Sequence, residues 1–369
     1  MRRSFVRSAL VLLSASAVAA ACGSSGSSST TTTTAAGATT TTGGPTLSGT
    51  LNGSGSSFQA TYDNAAIDTF DKAHSGVTVN YNGTAGSGQG QTDLEGQVVD
   101  FAGSDVSIAA TDLPKLKGRS ILYFPTVLGP ITVAYKLAGV SKLQLSGPTV
   151  AKMFTLKIKK WNDPAIAADN PGATLPSTAI TIVHRSDPSG TTSNFTKFLS
   201  KADPADWTYG NPKAWPAAVA SGTQAGKANP GVAQIVTSTE GAVGYVDYSD
   251  ASASGLTFAS IKNSSGSYIA PSLDSASAAA ANAPVAADLT YDPINAPGAG
   301  AYPIVSPTYI IVYAKQSDAA KTAILKAFLG YILGPDGQKL AADPTVKFAP
   351  LPAGLDAKAV AQLAQITGP

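Results

Sequence analysis

Residues 180–192, ITIVHRSDPSGTT, join a short run of β-branched residues to a loop of small polar residues. The run from Ile180 to Val183 is typical of a buried strand, and Phe195 and Phe198 mark an apolar helix face beyond the loop. Strands that alternate with helices indicate an α/β fold. Because loops after parallel strands gather at the carboxyl edge of a sheet, we expect function to reside in loops like this one.

The same strand, loop and helix pattern recurs near the start of the chain. Residues 53–57 (GSGSS) precede a predicted helix. Residues 83–90 (GTAGSGQG) follow the alternating stretch 77–81 (VTVNY) and precede a second helix, which we expect to reach about Val99. A third turn occupies residues 103–105 (GSD). Apolar residues four apart define the inner face of the first helix: Phe58, Tyr62, Ala66 and Phe70. The sequence thus predicts four strand-to-helix corners with their loops at carboxyl edges.

The length and the apolar content predict two lobes. The chain has 369 residues and is 43% hydrophobic, which suffices for two modest cores. The apolar stretches 123–136 and 304–315 predict strands that cross between lobes. The helical stretches 319–333 and 355–366 can pack only if the chain returns to its first lobe. We therefore expect two α/β lobes joined by a double crossover. The first lobe comprises residues 47–127 and 306–369, and the second comprises residues 128–305.

The N-terminal residues predict export and lipid attachment. Residues 1–21 have the basic start, short apolar run and small-residue exit of an export signal, and the run is too short to span a membrane. Cys22, the only cysteine, follows in a motif that resembles the lipobox of bacterial lipoproteins, with Ala19 where leucine is commoner. We expect Cys22 to be lipidated at the outer face of the cell membrane and residues 22–46 to form a flexible Ser/Thr-rich tether. Because Arg2-Arg3 also fits a twin-arginine signal, the export route stays open.

The charge content excludes some classes of partner. Only 13% of the residues are charged, which disfavours nucleic acid as a ligand. Removal of residues 1–21 leaves 22 basic residues against 23 acidic ones, a net charge of −1. An anionic ligand must therefore be held by local dipoles and by one or a few cations rather than by a general basic field.

Three of the loops could hold an oxyanion. A helix N-terminus carries unpaired N–H groups and about half a positive charge, so a Gly/Ser loop that opens a helix suits a tetrahedral anion. Glycine lets the backbone approach closely, and hydroxyl groups add donors. Ser57, Ser87 and Ser189 stand in such loops. Each could equally be an ordinary N-cap, so no single loop decides the function.

Arg185 is a candidate cation for such a site. It ends a predicted strand four residues before Ser189, where its guanidinium can donate to a ligand held by the helix terminus. The alternative is a surface ion pair with Asp187. Both interpretations are compatible, because Asp187 can orient the guanidinium while one edge stays free.

Asp105 is the unusual candidate, because a carboxylate repels an anion that has no proton to donate. Phosphate near neutral pH keeps at least one O–H group, whereas sulfate has none. A site with Asp105 as a fixed acceptor would therefore reject sulfate by leaving a repelling contact. The alternative for Asp105 is a helix cap or a turn residue.

Several segments, taken in order, carry a resemblance to a known family. They are residues 53–58, 80–88, 99–105, 124–126, 157–163, 184–191 and 241–246. In these segments the sequence resembles the phosphate-specific periplasmic binding proteins of the phosphate ABC importer, from about Leu47 to the C-terminus. The resemblance implies a two-lobe type II periplasmic-binding-protein fold with a double-crossover hinge. It also implies high-affinity phosphate binding, and a membrane permease and an ATPase as partners.

The resemblance also implies the roles of individual residues. In the first lobe, phosphate would be held by Ser57, the N–H of Phe58 and Ser87, with Asp105 as the proton acceptor. In the second lobe, the implied contacts come from Arg185, Ser189, Gly190 and Thr191, with Asp187 behind the arginine. The sequence departs from the family pattern where Ser57 replaces a commoner threonine and Pro188 a commoner glycine. Its second loop is also one residue longer than in some relatives.

Other functional classes find less support. With only His74, His184 and Cys22, the chain offers neither a catalytic triad nor a histidine-rich metal site, and we expect no enzyme activity, cofactor or metal. Residues 222–227 resemble a P-loop only superficially. The alternatives that stay open are a binding protein for sulfate or molybdate and a surface lipoprotein that senses phosphate or contacts other cells.

Overall fold

The computed structural model describes residues 46–369. The predicted export signal, Cys22 and the tether up to residue 45 lie outside the described residues, so these features stay predictions. Across residues 46–369, no helix combines the length and the apolar character that a membrane crossing requires.

Strands and helices alternate along the described chain, which confirms the α/β class. The strands are β1 (Gly49–Gly55), β2 (Val77–Asn82), β3 (Phe101–Ser104), β4 (Ile121–Tyr135), β5 (Gln144–Leu145), β6 (Thr181–Arg185), β7 (Gln224–Gly226), β8 (Ala242–Asp247), β9 (Thr257–Phe258), β10 (Ser260–Lys262), β11 (Tyr268–Ile269) and β12 (Val305–Tyr313). The helices are α1 (Ala60–Ala73), α2 (Ser87–Glu95), α3 (Gly147–Phe154), α4 (Pro164–Asp169), α5 (Gly190–Ala202), α6 (Ala228–Ser238), α7 (Tyr248–Ala253), α8 (Leu273–Ala280), α9 (Ala319–Leu333), α10 (Pro335–Ala341) and α11 (Ala353–Gln362). Short 3₁₀ turns occupy Leu113–Leu116, Ala217–Val219 and Leu363–Gln365.

The main sheet has the order β2-β1-β3-β12-β4-β8-β6-β7, with β9 added beside β4. In its first half, β1 runs parallel to β2 and β3, whereas β12 is antiparallel to β3 and β4. In its second half, β6 runs parallel to β7 and β8. Parallel strands end at the same edge of a sheet, so the loops after β1, β2 and β3 lie together.

Strand β4 belongs to both halves of the sheet. Its residues as far as Pro130 pair with β12, whereas Ile131–Tyr135 pair with β8. The N–H of Ile131 donates to the carbonyl of Ile304 at 2.7 Å, just before β12 begins. The two predicted crossing segments thus lie side by side where the sheet changes partners. The predicted lobe boundaries stay a prediction.

The C-terminal helix α9 packs against elements of the first half of the sheet. The rings of Phe70 in α1 and Phe328 in α9 lie 5.3 Å apart in an edge-to-face arrangement. The Tyr62 hydroxyl donates to the carbonyl of Ile332 at 3.2 Å. Because these contacts join residues more than 250 positions apart, the first half needs both ends of the described chain to complete its core.

Two local predictions were wrong. Helix α2 ends at Glu95 rather than near Val99, because the chain leaves the helical region at Gln97, whose φ is 57°. The third corner, after β3, opens no α-helix: the chain continues irregularly to the 3₁₀ turn at Leu113–Leu116. Asp105 therefore lies on a loop and not at a helix terminus.

Candidate functional site

The Asp105 carboxylate lies at the centre of a buried polar cluster. The residue follows β3 directly and is 1% exposed. Its Oδ1 accepts a hydrogen bond from the Ser56 hydroxyl, and its Oδ2 accepts from the hydroxyls of Ser87 at 3.3 Å and Thr191 at 3.4 Å. Donors from the first half of the sheet and from α5 thus converge on one carboxylate.

Ser87 reaches Asp105 because the loops after β1 and β2 are packed tightly together. Gly86 precedes α2 with a φ of 83°, a left-handed conformation that glycine adopts without strain. Its N–H donates to the carbonyl of Gly55 at 2.7 Å. Ser87 is the first residue of α2, which follows Gly86. Its hydroxyl bonds Asp105 rather than capping the helix, so the N-cap interpretation is wrong for Ser87.

The N-terminus of α5 points at the same carboxylate. A Cβ added to Gly190 would lie 2.6 Å from both the Cβ of Asp105 and the Oγ of Ser87, so only glycine fits this approach. Ser189 is the N-cap of α5, and its hydroxyl oxygen accepts from the N–H of Thr192 at 3.3 Å. The capping role considered for Ser189 is therefore real, and its hydroxyl proton can still be donated.

Arg185 and Asp187 form a pair inside the protein rather than on its surface. The guanidinium Nε donates to Asp187 Oδ1 at 2.9 Å, Nη2 bonds Oδ2, and Nη1 lies 3.5 Å from Thr191 Oγ1. The side chains of Arg185 and Asp187 are 1% and 10% exposed. Although burial alone would raise the pKa of Asp187, its bonds with Arg185 hold it below the ordinary value. The surface location considered for this pair is thus wrong.

Burial dominates the electrostatics of Asp105. Removal from water raises the pKa of this carboxyl to about 6, while the hydroxyl bond from Ser56 and the positive charge of Arg185 oppose the increase. The carboxylate is therefore ionised above pH 6 at an energetic cost. Such a group can accept a proton from a ligand that carries one.

Ser57 and Phe58 lie beside the cluster on the loop that precedes α1. The Ser57 Oγ accepts from the backbone N–H of Asn229 at 3.2 Å and from its side-chain Nδ2 at 3.4 Å. The N–H of Phe58 donates to Ser56 Oγ at 3.0 Å. Because α1 begins at Ala60 after Gln59, Ser57 is not the N-cap of that helix.

The structure thus brings the predicted residues from both halves of the sheet into one region. It also adds three residues that sequence reasoning missed: Ser56, Asn194 and Asn229. Asn194 Nδ2 donates to the carbonyl of Asp105 at 2.9 Å and to Ser306 Oγ at 2.8 Å. The signal for Asn229 was present in the sequence, because Gly226 ends β7 and residues 227–229 (KAN) lead into α6, much as the other loops lead into their helices.

A further contact joins the two halves beside the cluster. Lys213 Nζ bonds Oε1 of Gln91 in α2, and the carbonyl of Lys213 accepts from the N–H of Ser189 at 2.9 Å. A cavity of about 510 Å³ opens here and reaches Asp105. Removal of the Lys213 ammonium from water lowers its pKa, so this residue adds a partly desolvated cation near the site.

The arrangement offers hydroxyl, guanidinium and helix N-terminal N–H donors around one carboxylate acceptor. Such a set suits an oxyanion that carries a proton. Within residues 46–369, no group of three His, Cys, Asp or Glu side chains is placed to hold a metal ion.

Comparison with known proteins identifies the family. The sequence matches the PBP superfamily domain over residues 39–336. It is 38% identical over 295 residues to phosphate-binding protein PstS 3 of Mycobacterium leprae, and this alignment covers 77% of this chain and 79% of the relative. It is 35% identical over 318 residues to phosphate-binding protein PstS of Xylella fastidiosa, and this alignment covers 84% of each chain.

Solved structures support the fold. A high-affinity periplasmic phosphate-binding protein (PfluDING) bound with phosphate superposes with a TM-score of 0.70 at 22% identity, covering 85% of this chain and 94% of that one. The phosphate-binding protein from Stenotrophomonas maltophilia gives a TM-score of 0.65 at 21% identity, with 85% and 94% covered. The predicted periplasmic-binding-protein fold is thereby confirmed. By the extent of these matches, the chain belongs to the PstS family of phosphate-binding proteins within the PBP superfamily.

Proposed function

We propose that the protein binds inorganic phosphate outside the cell membrane and delivers it to an ABC phosphate importer. One observation carries the proposal: a buried carboxylate, Asp105, is enclosed by hydroxyl donors from both halves of the sheet. A cluster of donors around one fixed acceptor is complementary to an anion that has both acceptor oxygens and a proton. The names of the relatives, all phosphate-binding proteins, support the same ligand.

The single acceptor favours phosphate over sulfate. Phosphate donates its remaining proton to Asp105 and accepts from the surrounding hydroxyl and N–H groups. Sulfate has no proton, so its oxygens would meet the carboxylate without a hydrogen bond and with repulsion between like charges. Sites built to bond a ligand O–H group discriminate by roughly 10⁴ to 10⁵ against ligands that lack it.

The positions of the side chains support a set of individual contacts, which we propose as follows. We assign Ser57, the N–H of Phe58 and Ser87 to one side of the anion, with Asp105 as its proton acceptor. On the other side we assign Arg185, Ser189, Gly190 and the backbone N–H of Thr191, whose hydroxyl proton is donated to Asp105. Asp187 fixes the guanidinium by two bonds and leaves Nη1 facing Thr191. Each hydrogen bond to a charged group is worth about 1.5–3 kcal/mol.

The two halves of the sheet act as lobes that close on the anion. Each half supplies part of the site, and β4 together with the chain at Ile304 links them. We infer that bending of these two segments opens the cleft, and that the closed form is recognised by the importer. The Lys213–Gln91 contact favours the closed form because it joins residues from the two halves.

Location and partners follow from the family and from the N-terminal sequence. We propose that Cys22 is lipidated after export and that the tether holds the binding lobes near a membrane permease with its ATPase subunits. The family consists of substrate-binding proteins, and we propose no catalytic role for this chain.

Calorimetric titration tests the function. The chain from Gly23 onward is unfolded in guanidinium chloride, dialysed to remove bound phosphate, refolded and titrated with phosphate and separately with sulfate at pH 8. We expect tight phosphate binding and no heat from sulfate. Sulfate binding of equal strength would replace the proposal by a general oxyanion carrier, and the absence of heat from both anions would refute anion binding.

A further inference from the structure

Asn229 occupies a position between the two halves of the proposed site. It lies in the first turn of α6 and is fully buried. Its backbone N–H and its Nδ2 donate to Ser57 Oγ at 3.2 and 3.4 Å, and the same Nδ2 lies 3.3 Å from Thr191 Oγ1. One side chain therefore contacts a hydroxyl from each half.

The bonds at Ser57 determine the direction of its hydroxyl proton. A serine hydroxyl has one proton to donate and two lone pairs that can accept. Both lone pairs of Ser57 Oγ face N–H donors of Asn229. The proton must then point away from Asn229, so Ser57 is available only as a donor to an anion.

The bonds at Thr191 determine the orientation of the Asn229 amide. Thr191 donates its single hydroxyl proton to Asp105 Oδ2 at 3.4 Å. The Asn229 atom that faces Thr191 Oγ1 must therefore be the Nδ2 donor and not the oxygen. The opposite atom, Asn229 Oδ1, is buried and has no hydrogen-bond partner among the described residues.

Two features show that this arrangement is not optimised for stability. An unpaired buried oxygen lowers the stability of the folded chain. In addition, Ala228 adopts a φ of 58°, which is strained for a residue with a Cβ. The strained turn directs the N–H of Ala228 to Asp187 Oδ1 at 3.0 Å and the N–H of Asn229 to Ser57. Strain and unpaired polar atoms that are retained together are typical of functional sites.

We propose that Asn229 is a positioning residue for phosphate binding, which polarises the hydroxyls of Ser57 and Thr191 and couples the two halves of the site. This inference rests on the proposed function. Asn229 acts through its two hydroxyl neighbours, and it makes Ser57 an obligate donor while Thr191 is held as a donor to Asp105.

Removal of the side chain tests the proposal. In Asn229→Ala the dissociation constant for phosphate should rise about tenfold or more, because Thr191 loses its Nδ2 donor and Ser57 keeps only the backbone N–H of residue 229. Thermal unfolding of the phosphate-free variant should change by no more than about 3 °C, since the unpaired Oδ1 is removed as well. Asn229→Asp, which has the same shape but no Nδ2 donor, should bind phosphate at least as weakly as Asn229→Ala. Wild-type affinity in either variant would overturn the proposal.

A double-mutant cycle separates positioning from general structural damage. If Asn229 acts through Ser57, then Asn229→Ala should weaken binding much less in a Ser57→Ala background than in the wild type. Independent, additive losses would contradict the positioning role. Asn263→Ala is the matched control, because Asn263 is also buried and bonds the loop at Gly298 and Ala301 away from the site. It should lower the unfolding temperature without changing phosphate affinity.

The same titrations distinguish the two proposals. If the refolded wild-type chain binds no phosphate, the proposed function fails and the role of Asn229 fails with it. If the wild type binds phosphate and Asn229→Ala binds it equally well, only the positioning role fails.

Discussion

Replacement of Asp105 by asparagine changes one acceptor and one charge at the centre of the site. The side chain keeps its shape, but one carboxylate oxygen becomes an NH₂ donor. In the wild type, both oxygens accept hydroxyl bonds, from Ser56 on one side and from Ser87 and Thr191 on the other. The substitution therefore removes the proposed acceptor for the phosphate proton while the neighbouring hydroxyls stay in place.

The two anions should respond in opposite directions. Phosphate loses a hydrogen bond to a charged acceptor, worth about 1.5–3 kcal/mol, so its dissociation constant should rise roughly 10- to 150-fold. Sulfate loses a repulsion that amounts to about 4 kcal/mol for unit charges 4 Å apart near a protein surface. We expect the ratio of the sulfate to the phosphate dissociation constant to fall by at least about 100-fold.

The phosphate-free variant should be at least as stable as the wild type above pH 6. Burial raises the pKa of Asp105 from its ordinary 3.8 to about 6. Because its pKa is higher in the folded protein than in the unfolded chain, Asp105 stabilises the fold fully below pH 3.8. This stabilisation is lost as the pH rises through 6. The loss at pH 8 is about 3 kcal/mol, since one pKa unit corresponds to 1.36 kcal/mol. Asparagine does not ionise and avoids this loss, which offsets its weaker hydroxyl bonds.

Calorimetry with both anions at pH 8, together with thermal unfolding of the phosphate-free protein, measures all three quantities. Asp112→Asn serves as the control, because Asp112 pairs with Lys115 at 2.8 Å on the surface. It should leave both affinities unchanged. Undiminished rejection of sulfate by Asp105→Asn would refute the proton-acceptor role. A large drop in its unfolding temperature would show that burial of the charge is fully compensated by the hydroxyl bonds.

Three further outcomes follow from the site. Arg185→Ala should weaken phosphate binding and any sulfate binding by at least about tenfold, because it removes a charged donor. The control Arg119→Ala loses an exposed guanidinium that lies over the Tyr313 ring and should leave both affinities unchanged. Equal affinities in the two variants would mean that Arg185 serves only in its ion pair with Asp187. Gly190→Ala should raise the phosphate dissociation constant about 10- to 100-fold, because the new Cβ would collide with Asp105. Wild-type affinity by calorimetry would mean that Gly190 and Asp105 do not approach this closely when phosphate binds. In the wild type, sulfate affinity should rise about tenfold for each pH unit from 8 down to about 6 as Asp105 takes up a proton, and then level off; a pH-independent affinity would contradict the titration of this carboxyl.

Much of the site could be predicted because its chemistry is local. A Gly/Ser loop before a helix, or an arginine at the end of a strand, can be recognised within about ten residues of sequence. The resemblance to phosphate-binding proteins then named the individual residues. Where local patterns are weak, the predictions were wrong. The third corner contains a glycine, a serine and an aspartate like the others, yet the chain beyond it has no helical amphipathic face and stays irregular.

The loop that carries Asn229 has a local signal, but the contact of Asn229 with Ser57 and the burial of the Arg185–Asp187 pair could not be predicted in this way. Asn229 contacts Ser57 across 172 positions of sequence. This contact requires β7 to lie next to β6, so that the first turn of α6 meets the loop after β1. Whether an arginine and an aspartate two residues apart lie on the surface or inside depends on what packs over them. Neither fact is present in the residues themselves.

The sequence by itself determined the α/β class, the four loops and the kinds of groups that could meet an anion, because each depends on neighbouring residues and on apolar periodicity. Only the tertiary structure decided which group donates and which accepts. Thr191 gives its proton to Asp105 across 86 positions, and Ser57 is left as a donor by Asn229 across 172. The direction of a hydroxyl bond depends on every partner within reach, and folding alone brings those partners together.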